Sequence, residues 1–188
     1  MNNTFYFLRH AETKVDKDIP VSKWVLSASG EEQAKQRAAE GVFDDADIIF
    51  SSNEEKAYQT AKPIAEKLGK TIIRFSEINE LHRDKGPFMK QEDYEDSIKY
   101  CSEHLSESIN NWEMAGHALE RFAKKIEGLD KQHNNLKILV VGHGFTINMY
   151  FAKLLNALDN VYARINTNTF ADWGIIKNKK VIKDIAKQ

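Results

Sequence analysis

The segment KILVVG, Lys137–Gly142, contains four consecutive large aliphatic residues and no polar residue after Lys137. A run that is apolar throughout is typical of a central strand in a parallel sheet, because both of its faces are covered. His143 and Gly144 follow, and a helical pattern then extends from about Phe145 to Asn156. A buried strand that passes directly into a helix is the repeating unit of α/β folds. The segment therefore predicts the centre of an α/β sheet.

Apolar segments elsewhere in the chain predict further strands of the same sheet. Each is short, rich in aliphatic or aromatic residues and bounded by polar or turn-forming residues. The last two are expected to form an antiparallel edge, joined by a turn near Lys177–Lys180. The predicted strands are Phe5–Leu8, Ala46–Ser51, Thr71–Phe75 and two within Thr169–Ile185.

Segments with helical spacing of apolar residues separate these strands. Ser29, with Glu32 three residues later, resembles a capping box and predicts the start of the first helix. Asn53 is expected to cap the second helix and Gly69 to end it. Pro63 lies inside that helix, where it predicts a kink. Apolar residues then step by three and four from Trp112 to Leu129, which predicts a long amphipathic helix.

The segment from Leu81 to about Glu107 is polar, and its first part shows no regular spacing of apolar residues. It is expected to be a lid, an insertion over one face of the sheet that becomes helical towards its end. Residues 1–188 are accordingly interpreted as one domain with the lid at about 81–107. The predicted fold is a three-layer α/β/α sandwich with a central, mainly parallel sheet and an antiparallel edge.

Composition excludes several classes of function. Hydrophobic residues make up 41% of the chain and charged residues 29%, which is typical of a globular protein. The 27 basic and 28 acidic residues nearly cancel, so no overall field favours nucleic acid or an anionic membrane. Cys101 is the single cysteine, which excludes an internal disulfide. With no basic segment before the first strand and no apolar run of transmembrane length, a cytoplasmic location is expected.

Polar residues follow four of the predicted strands. Arg9 and His10 follow the first strand, Lys56 lies in the first turn after the second, Glu80 follows the third, and His143 follows the central one. The carboxyl ends of strands in open α/β sheets are where ligands bind. A helix N-terminus with a lysine beside it attracts an anion. The combination predicts phosphoryl chemistry on a histidine.

Four ordered motifs carry a resemblance to a known family. Leu8–Thr13 reads LRHAET, Leu26–Ala34 reads LSASGEEQA, Ser52–Ala61 reads SNEEKAYQTA, and Val140–Gly144 reads VVGHG. In this order they resemble the motifs of the histidine phosphatase superfamily, also called phosphoglycerate mutase-like. Four motifs in order are far more specific than any one of them. Only the lid has no clear match.

The resemblance implies a role for each of these residues. His10 would be the nucleophile that accepts the phosphoryl group, and Glu80 would protonate the leaving oxygen and then deprotonate water. Neither a metal nor a cofactor is implied. A small phosphorylated substrate is the expected partner, and an exposed edge strand could pair with a second copy of the chain. The phosphoryl group would be bound by Arg9, Lys56, Gly144 and a protonated His143.

Three departures from the family pattern keep alternatives open. Ala11 replaces a glycine, Lys56 replaces an arginine and loses its bidentate fork, and Asp16 stands where many relatives have an asparagine. The lid lacks the paired arginines that phosphoglycerate mutases use, which argues against a mutase. Lys56 and Asp16 allow a second hypothesis, a non-catalytic or regulatory phosphate binder. A third is metal-dependent hydrolysis by His10, Glu12 and His143.

Overall fold

A six-stranded sheet forms the centre of the computed structural model, which describes residues 2–186. Its spatial order is β3-β2-β4-β1-β5-β6. The first four strands in this order are mutually parallel, β5 is antiparallel to β1, and β6 is antiparallel to β5. The strands are β1 Thr4–Arg9, β2 Ile48–Ser52, β3 Ile72–Phe75, β4 Lys137–Gly142, β5 Trp173–Lys177 and β6 Lys180–Lys183.

Helices cover both faces of the sheet because side chains along each buried strand alternate between the faces. In β1, Phe5 and Phe7 belong to one hydrophobic cluster with α4 and α5, and Tyr6 and Leu8 belong to another with α1 and α2. The three-layer α/β/α prediction is thereby confirmed, including its antiparallel edge. The helices are α1 Ala28–Ala39, α2 Glu55–Leu68, α3 Gln91–Glu103, α4 Ala115–Gln132, α5 Gly144–Leu155 and α6 Val161–Thr167.

The predicted starts of three helices need correction. The side chain of Ser27, not Ser29, caps α1 by accepting a hydrogen bond from the Gly30 amide at 3.0 Å. The residue before α2 is Glu54 instead of Asn53, and its side chain does not cap the helix. Trp112 precedes α4, which begins at Ala115. The prediction that Gly69 ends α2 is confirmed, because it adopts a left-handed conformation there, and α2 continues across Pro63.

The lid connects the end of β3 to α4 and contains α3. Ile98 and Cys101 on α3 are buried in the same cluster as Trp112 and Phe122. Burial raises the pKa of the Cys101 thiol to about 11. The lid is therefore anchored to the hydrophobic core through one face of α3, whereas the segment before this helix borders an open cleft.

Two predictions concern the chain as a whole. In the part of the chain that the structure describes, no helix is both long and apolar enough to cross a membrane. The interpretation of residues 1–188 as one domain includes Met1, Lys187 and Gln188, which lie outside the described residues. That interpretation stays a prediction.

Candidate active site

Sheet register brings the predicted histidines together. β1 and β4 are neighbours in which Arg9 pairs with Gly142, so His10 and His143 leave the sheet side by side. Their ring centroids are 5.2 Å apart. β2 lies on the other side of β4 and delivers Ser52 to the same edge. The carboxyl ends of three adjacent parallel strands thus form the floor of the site.

His10 is held through one ring nitrogen, and the other has no hydrogen-bond partner among residues 2–186. Its Nδ1 lies 2.8 Å from the Ala11 carbonyl oxygen, so Nδ1–H donates and Nε2 carries the lone pair. Burial lowers the pKa of His10 well below 6.5, and the nearby His143, Lys56 and Arg9 lower it further. The imidazole is consequently neutral near pH 7, which is the form that can act as a nucleophile.

His143 is fully buried and is fixed through its Nε2 atom. This nitrogen lies 2.7 Å from Ser52 Oγ and 3.6 Å from Glu54 Oε1. Its Nδ1 is buried without a hydrogen-bond partner among residues 2–186. Burial lowers the pKa of His143 well below 6.5, although Glu80 acts in the opposite direction. With the charges of the protein alone the ring is neutral, so the protonated form expected from the sequence requires an added negative charge.

Arg9 lies beside the two histidines with its guanidinium partly engaged. Nη1 donates to the backbone oxygen of Asn168 at 2.5 Å, and Cζ lies 4.7 Å from the ring centroid of Phe170. Its Nε is buried without a partner in the described part of the chain. Gly144 permits this placement, because a Cβ atom there would lie 3.0 Å from Arg9 Cζ and Nε. Arg9 and His143 therefore each carry a buried nitrogen without a partner among residues 2–186, and of the two only Arg9 lines the cleft.

Lys56 is buried in the site and is paired with an acidic residue. Its Nζ lies 2.7 Å from Glu54 Oε2 and donates to the Val21 carbonyl oxygen at 2.8 Å. The exposed fractions of the Lys56 and Glu54 side chains are 3% and 5%. Thr60 connects this turn of α2 to the loop that follows His10, since its hydroxyl accepts a hydrogen bond from the Ala11 amide and donates one to the Lys56 carbonyl oxygen. Lys56 is thus a compensated cation instead of a solvated one.

Glu80 borders the same cleft, but its carboxylate has a role that the sequence did not predict. It accepts hydrogen bonds from the backbone amides of Leu81, Phe145 and Thr146 at 2.9–3.1 Å. The last two amides belong to the first turn of α5, where a negative charge is stabilised by the helix dipole. Arg121 fixes the turn by donating to the Glu80 carbonyl oxygen. Glu77, a carboxylate three residues before Glu80, instead pairs with Lys125 at 2.7 Å.

Glu54 is the main site residue that sequence reasoning missed. Besides pairing with Lys56 and approaching His143, its Oε1 accepts from the Glu80 amide at 2.8 Å. One buried carboxylate thereby contacts three predicted site positions. A signal was available in the sequence, because Glu54 lies between the end of a strand and the first turn of a helix, two residues from Lys56. Phe170 and Asn168, which contact Arg9, had no comparable signal.

The structure accommodates the departures at positions 11 and 16. Ala11 is not among the residues with positive φ, and its methyl group is buried against Leu26 and Ala34. Asp16 does not line the cleft, and its Oδ1 accepts from the Asp18 amide at 3.0 Å. The acidic side chain of Asp16 therefore does not border the cleft into which His10 opens.

Glu12 supports the loop at the entrance to α1. Its Oε1 accepts from the Ser27 hydroxyl at 2.7 Å, and its backbone amide donates to Gln33. Within residues 2–186, no group of three or more His, Cys, Asp or Glu side chains is arranged to hold a metal ion. His10, Glu12 and His143 accordingly do not form the ligand set that the metal-dependent alternative would need.

The site opens into a cleft of about 800 Å³. Strand-end residues form its floor, while the loop before α1 and the first part of the lid form its walls. The neutral imidazole of His10 lies in this floor together with Arg9 and Lys56. Such an arrangement can bind an anionic group and expose it to a nucleophile.

The chain is similar to known proteins in sequence and in fold. Phosphoserine phosphatase 1 from Hydrogenobacter thermophilus is 27% identical over 159 residues, which cover 79% of this chain and 74% of that protein. A mycobacterial glucosyl-3-phosphoglycerate phosphatase structure is 17% identical, with a TM-score of 0.83 and complete coverage of both chains. An Entamoeba histolytica phosphoserine phosphatase mutant in complex with phosphoserine is 19% identical, with a TM-score of 0.77, and covers 96% of this chain and 94% of that one. Finally, the family model described as histidine phosphatase superfamily (branch 1) matches residues 5–177, and the chain belongs to this superfamily.

Proposed function

We propose that the protein is a phosphatase that hydrolyses phosphate monoesters through a phosphohistidine intermediate on His10. The observation that carries the proposal is a buried, neutral His10 whose Nε2 is free to attack because Nδ1 donates to the Ala11 carbonyl. Arg9 and Lys56, which line the cleft together with His10, support the binding of a phosphoryl group, and Arg9 Nε has no partner among residues 2–186. The phosphatase relatives support the same reaction class.

In the first step, the Nε2 lone pair of His10 attacks phosphorus, and the bond from phosphorus to the ester oxygen breaks. Arg9, Lys56 and His143 stabilise the negative charge on the equatorial oxygens in the transition state. The dianion also favours protonation of His143, because a negative charge beside an imidazole raises its pKa. Gly144 allows the Arg9 guanidinium to lie close to the N-terminus of α5.

Glu80 is the proposed proton donor to the ester oxygen, which leaves as an alcohol. In the second step Glu80 takes a proton from water, the hydroxyl attacks phosphorus, and His10 leaves as neutral imidazole with release of inorganic phosphate. The location of Glu80 at the cleft supports this role. To act as an acid, the carboxyl group must be protonated, and an OH oxygen then gives up its bond to a backbone amide.

The test is hydrolysis of p-nitrophenyl phosphate from acidic to neutral pH, with a chelator present, by wild type and His10→Ala. We expect the substitution to reduce kcat by roughly a thousandfold or more, since it removes the nucleophile. Acid quenching of the wild type should trap a phosphoenzyme that is labile in acid and stable in base. Equal rates in two folded proteins, or dependence on a metal ion, would reject the mechanism.

One observation favours a second candidate, a non-catalytic phosphate binder. Glu54 already compensates the charge of Lys56, and three backbone amides already engage the carboxylate of Glu80. Both contacts reduce what these groups can contribute to turnover. This alternative predicts that vanadate or phosphate binds while turnover by the wild type is no higher than that of His10→Ala.

A further inference from the structure

Exposed apolar side chains are concentrated at the mouth of the cleft. Among residues 2–186, eight large hydrophobic side chains are exposed, and four of them line this cleft. Isolated apolar residues on a surface are ordinary, but a group of them around one pocket marks a binding site. The four are Val15 at 61% exposed, Ile19 at 41%, Phe88 at 56% and Phe170 at 37%.

These side chains continue directly from the proposed phosphoryl site. The ring of Phe170 lies 5.7 Å from the His10 ring and 4.7 Å from Arg9 Cζ. Beyond it, Val15 and Ile19 come from the loop before α1, and Phe88 comes from the lid. An ester bound at His10 therefore projects its organic part into a space with apolar side chains from both walls. The cleft volume of about 800 Å³ lies in the range of pockets that hold small organic ligands.

Several polar residues that line the cleft are already engaged by the protein. Asp84 accepts from the Ser22 amide at 3.1 Å and from the Ser22 hydroxyl at 2.5 Å. The Arg83 guanidinium lies over the rings of Tyr94 and Trp112, with Cζ 4.7 Å and 5.8 Å from their centroids, although its Nε is buried without a hydrogen-bond partner among residues 2–186. A charged leaving group would compete with the Asp84 hydrogen bonds and with this ring stacking, whereas an apolar one would displace water from the exposed hydrophobic surface.

We propose that the cleft selects phosphate monoesters whose leaving group is an uncharged apolar alcohol or phenol, in preference to phosphorylated amino acids or sugar acids. This inference rests on the proposed function and specifies its substrate class. Selectivity comes from burial of the organic part against Phe88, Val15 and Ile19, while the phosphoryl group is bound on the floor. The preference differs from the substrates for which the similar phosphatases are named, phosphoserine and a glucosyl phosphoglycerate.

A series of unbranched alkyl phosphates tests the proposal, because their leaving alcohols differ in length and scarcely in chemistry. We expect kcat/KM to rise roughly two- to fourfold for each added methylene until the alkyl chain covers Val15, Ile19 and Phe88, because each methylene is transferred from water to an apolar surface. Phosphoserine and glycerol phosphate should be poorer substrates than the longer alkyl esters. The proposal would be overturned if kcat/KM did not change with chain length, or if it were higher for phosphoserine than for every alkyl ester.

Two variants locate the effect in the wall. Phe88→Ala should reduce the gain in kcat/KM per added methylene, mainly through KM. Ile182→Ala is the matched control, because Ile182 is 62% exposed on β6 and does not line the cleft. Its series should match that of the wild type. If the gain in kcat/KM per methylene were the same in Phe88→Ala as in the wild type, the lid would not contact the leaving group.

Calorimetric binding of the same esters to His10→Ala separates this inference from the proposed reaction. If the wild type turns over no ester but the dissociation constant still falls with chain length, then catalysis fails and the apolar preference stands. If the esters are hydrolysed but neither kcat/KM nor the dissociation constant depends on chain length, then the preference fails and catalysis stands.

Discussion

Lys56 and Glu54 form a buried ion pair in which each residue depends on the other. The lysine keeps a positive charge where the family has an arginine, but the 2.7 Å contact to Glu54 compensates that charge. The sequence identified Lys56 as a site residue but not Glu54, because a glutamate at the N-terminal end of a helix is usually solvated. Burial of the pair depends on the segment that contains Val21, which is distant in sequence and contacts Lys56 Nζ.

Removing one partner of this pair should destabilise the fold. We expect Lys56→Met to lower the free energy of unfolding by about 3 kcal/mol, because Glu54 is left buried and uncompensated. The double variant Lys56→Met/Glu54→Gln should recover much of the loss. Urea denaturation measures both. Lys35→Met is the control: Lys35 pairs with Glu32 at 3.7 Å with both side chains exposed, so a change within about 0.5 kcal/mol is expected.

The orientation of His10 predicts which ring nitrogen is phosphorylated. Because Nδ1 donates to the Ala11 carbonyl at 2.8 Å, attack by Nε2 leaves that hydrogen bond intact. We therefore expect the trapped intermediate to be the Nε2-phosphorylated isomer, identified by phosphorus NMR of the denatured phosphoenzyme. The Nδ1 isomer would contradict this orientation without contradicting a covalent mechanism.

At the scale of elements, the N-terminus of α5 is the junction that organises the site. It receives the Glu80 carboxylate on the Phe145 and Thr146 amides, and Gly144 packs against the Arg9 guanidinium. The sequence predicted α5 and placed His143 before it. It could not predict the Glu80 contact, because that contact depends on how the turn after β3 folds back and is held by Arg121.

Adding a methyl group at Gly144 should displace Arg9. A Cβ atom at this position would lie 3.0 Å from Arg9 Cζ and Nε, so the guanidinium would have to shift by a few tenths of an ångström. Losing one charge-assisted bond costs about 1.5–3 kcal/mol, and we expect Gly144→Ala to weaken vanadate inhibition roughly 10- to 100-fold. Gly128→Ala on α4 is the control, since no atom lies within 4 Å of its added Cβ, and vanadate inhibition should not change.

The errors at helix starts have a common physical reason. Ser27 and Ser29 are equally good capping residues by type. Ser27 is the one at the N-terminus of α1, where its hydroxyl also contacts Glu12. Trp112 continues the apolar spacing of α4 but lies before its first turn, where it packs beside Tyr94 of the lid. Periodicity identifies which residues are buried, whereas helix ends depend on tertiary contacts.

At the scale of the whole molecule, the strands and layers could be predicted because the sheet is buried on both faces. Continuous apolar runs such as Lys137–Gly142 identify its strands, and ordered motifs at their ends identify the edge of the sheet at which His10 and His143 lie. The path of the lid could not be predicted, because its first residues are polar and aperiodic. Their positions depend on contacts between Arg83, Tyr94 and Trp112, which are distant in sequence.

Two buried neutral histidines should make stability fall as the pH falls. The pKa values of His10 and His143 are both well below 6.5 in the folded protein, so below pH 6.5 the unfolded chain binds more protons and the free energy of unfolding decreases. Between about pH 7.5 and about pH 5.5, each histidine should contribute a loss of roughly 1.4 kcal/mol. Urea denaturation of His10→Ala should show a loss smaller by one such contribution, and an identical loss would contradict the assignment.

The burial of Cys101 has a practical consequence for studying the lid in solution. Its thiol is fully buried on α3, and burial raises its pKa to about 11, so a thiol reagent reacts only when this helix detaches. Because it is the chain's single cysteine, every labelling event reports the same opening. The labelling rate with and without vanadate would therefore measure, without any engineered probe, whether occupation of the site immobilises the lid.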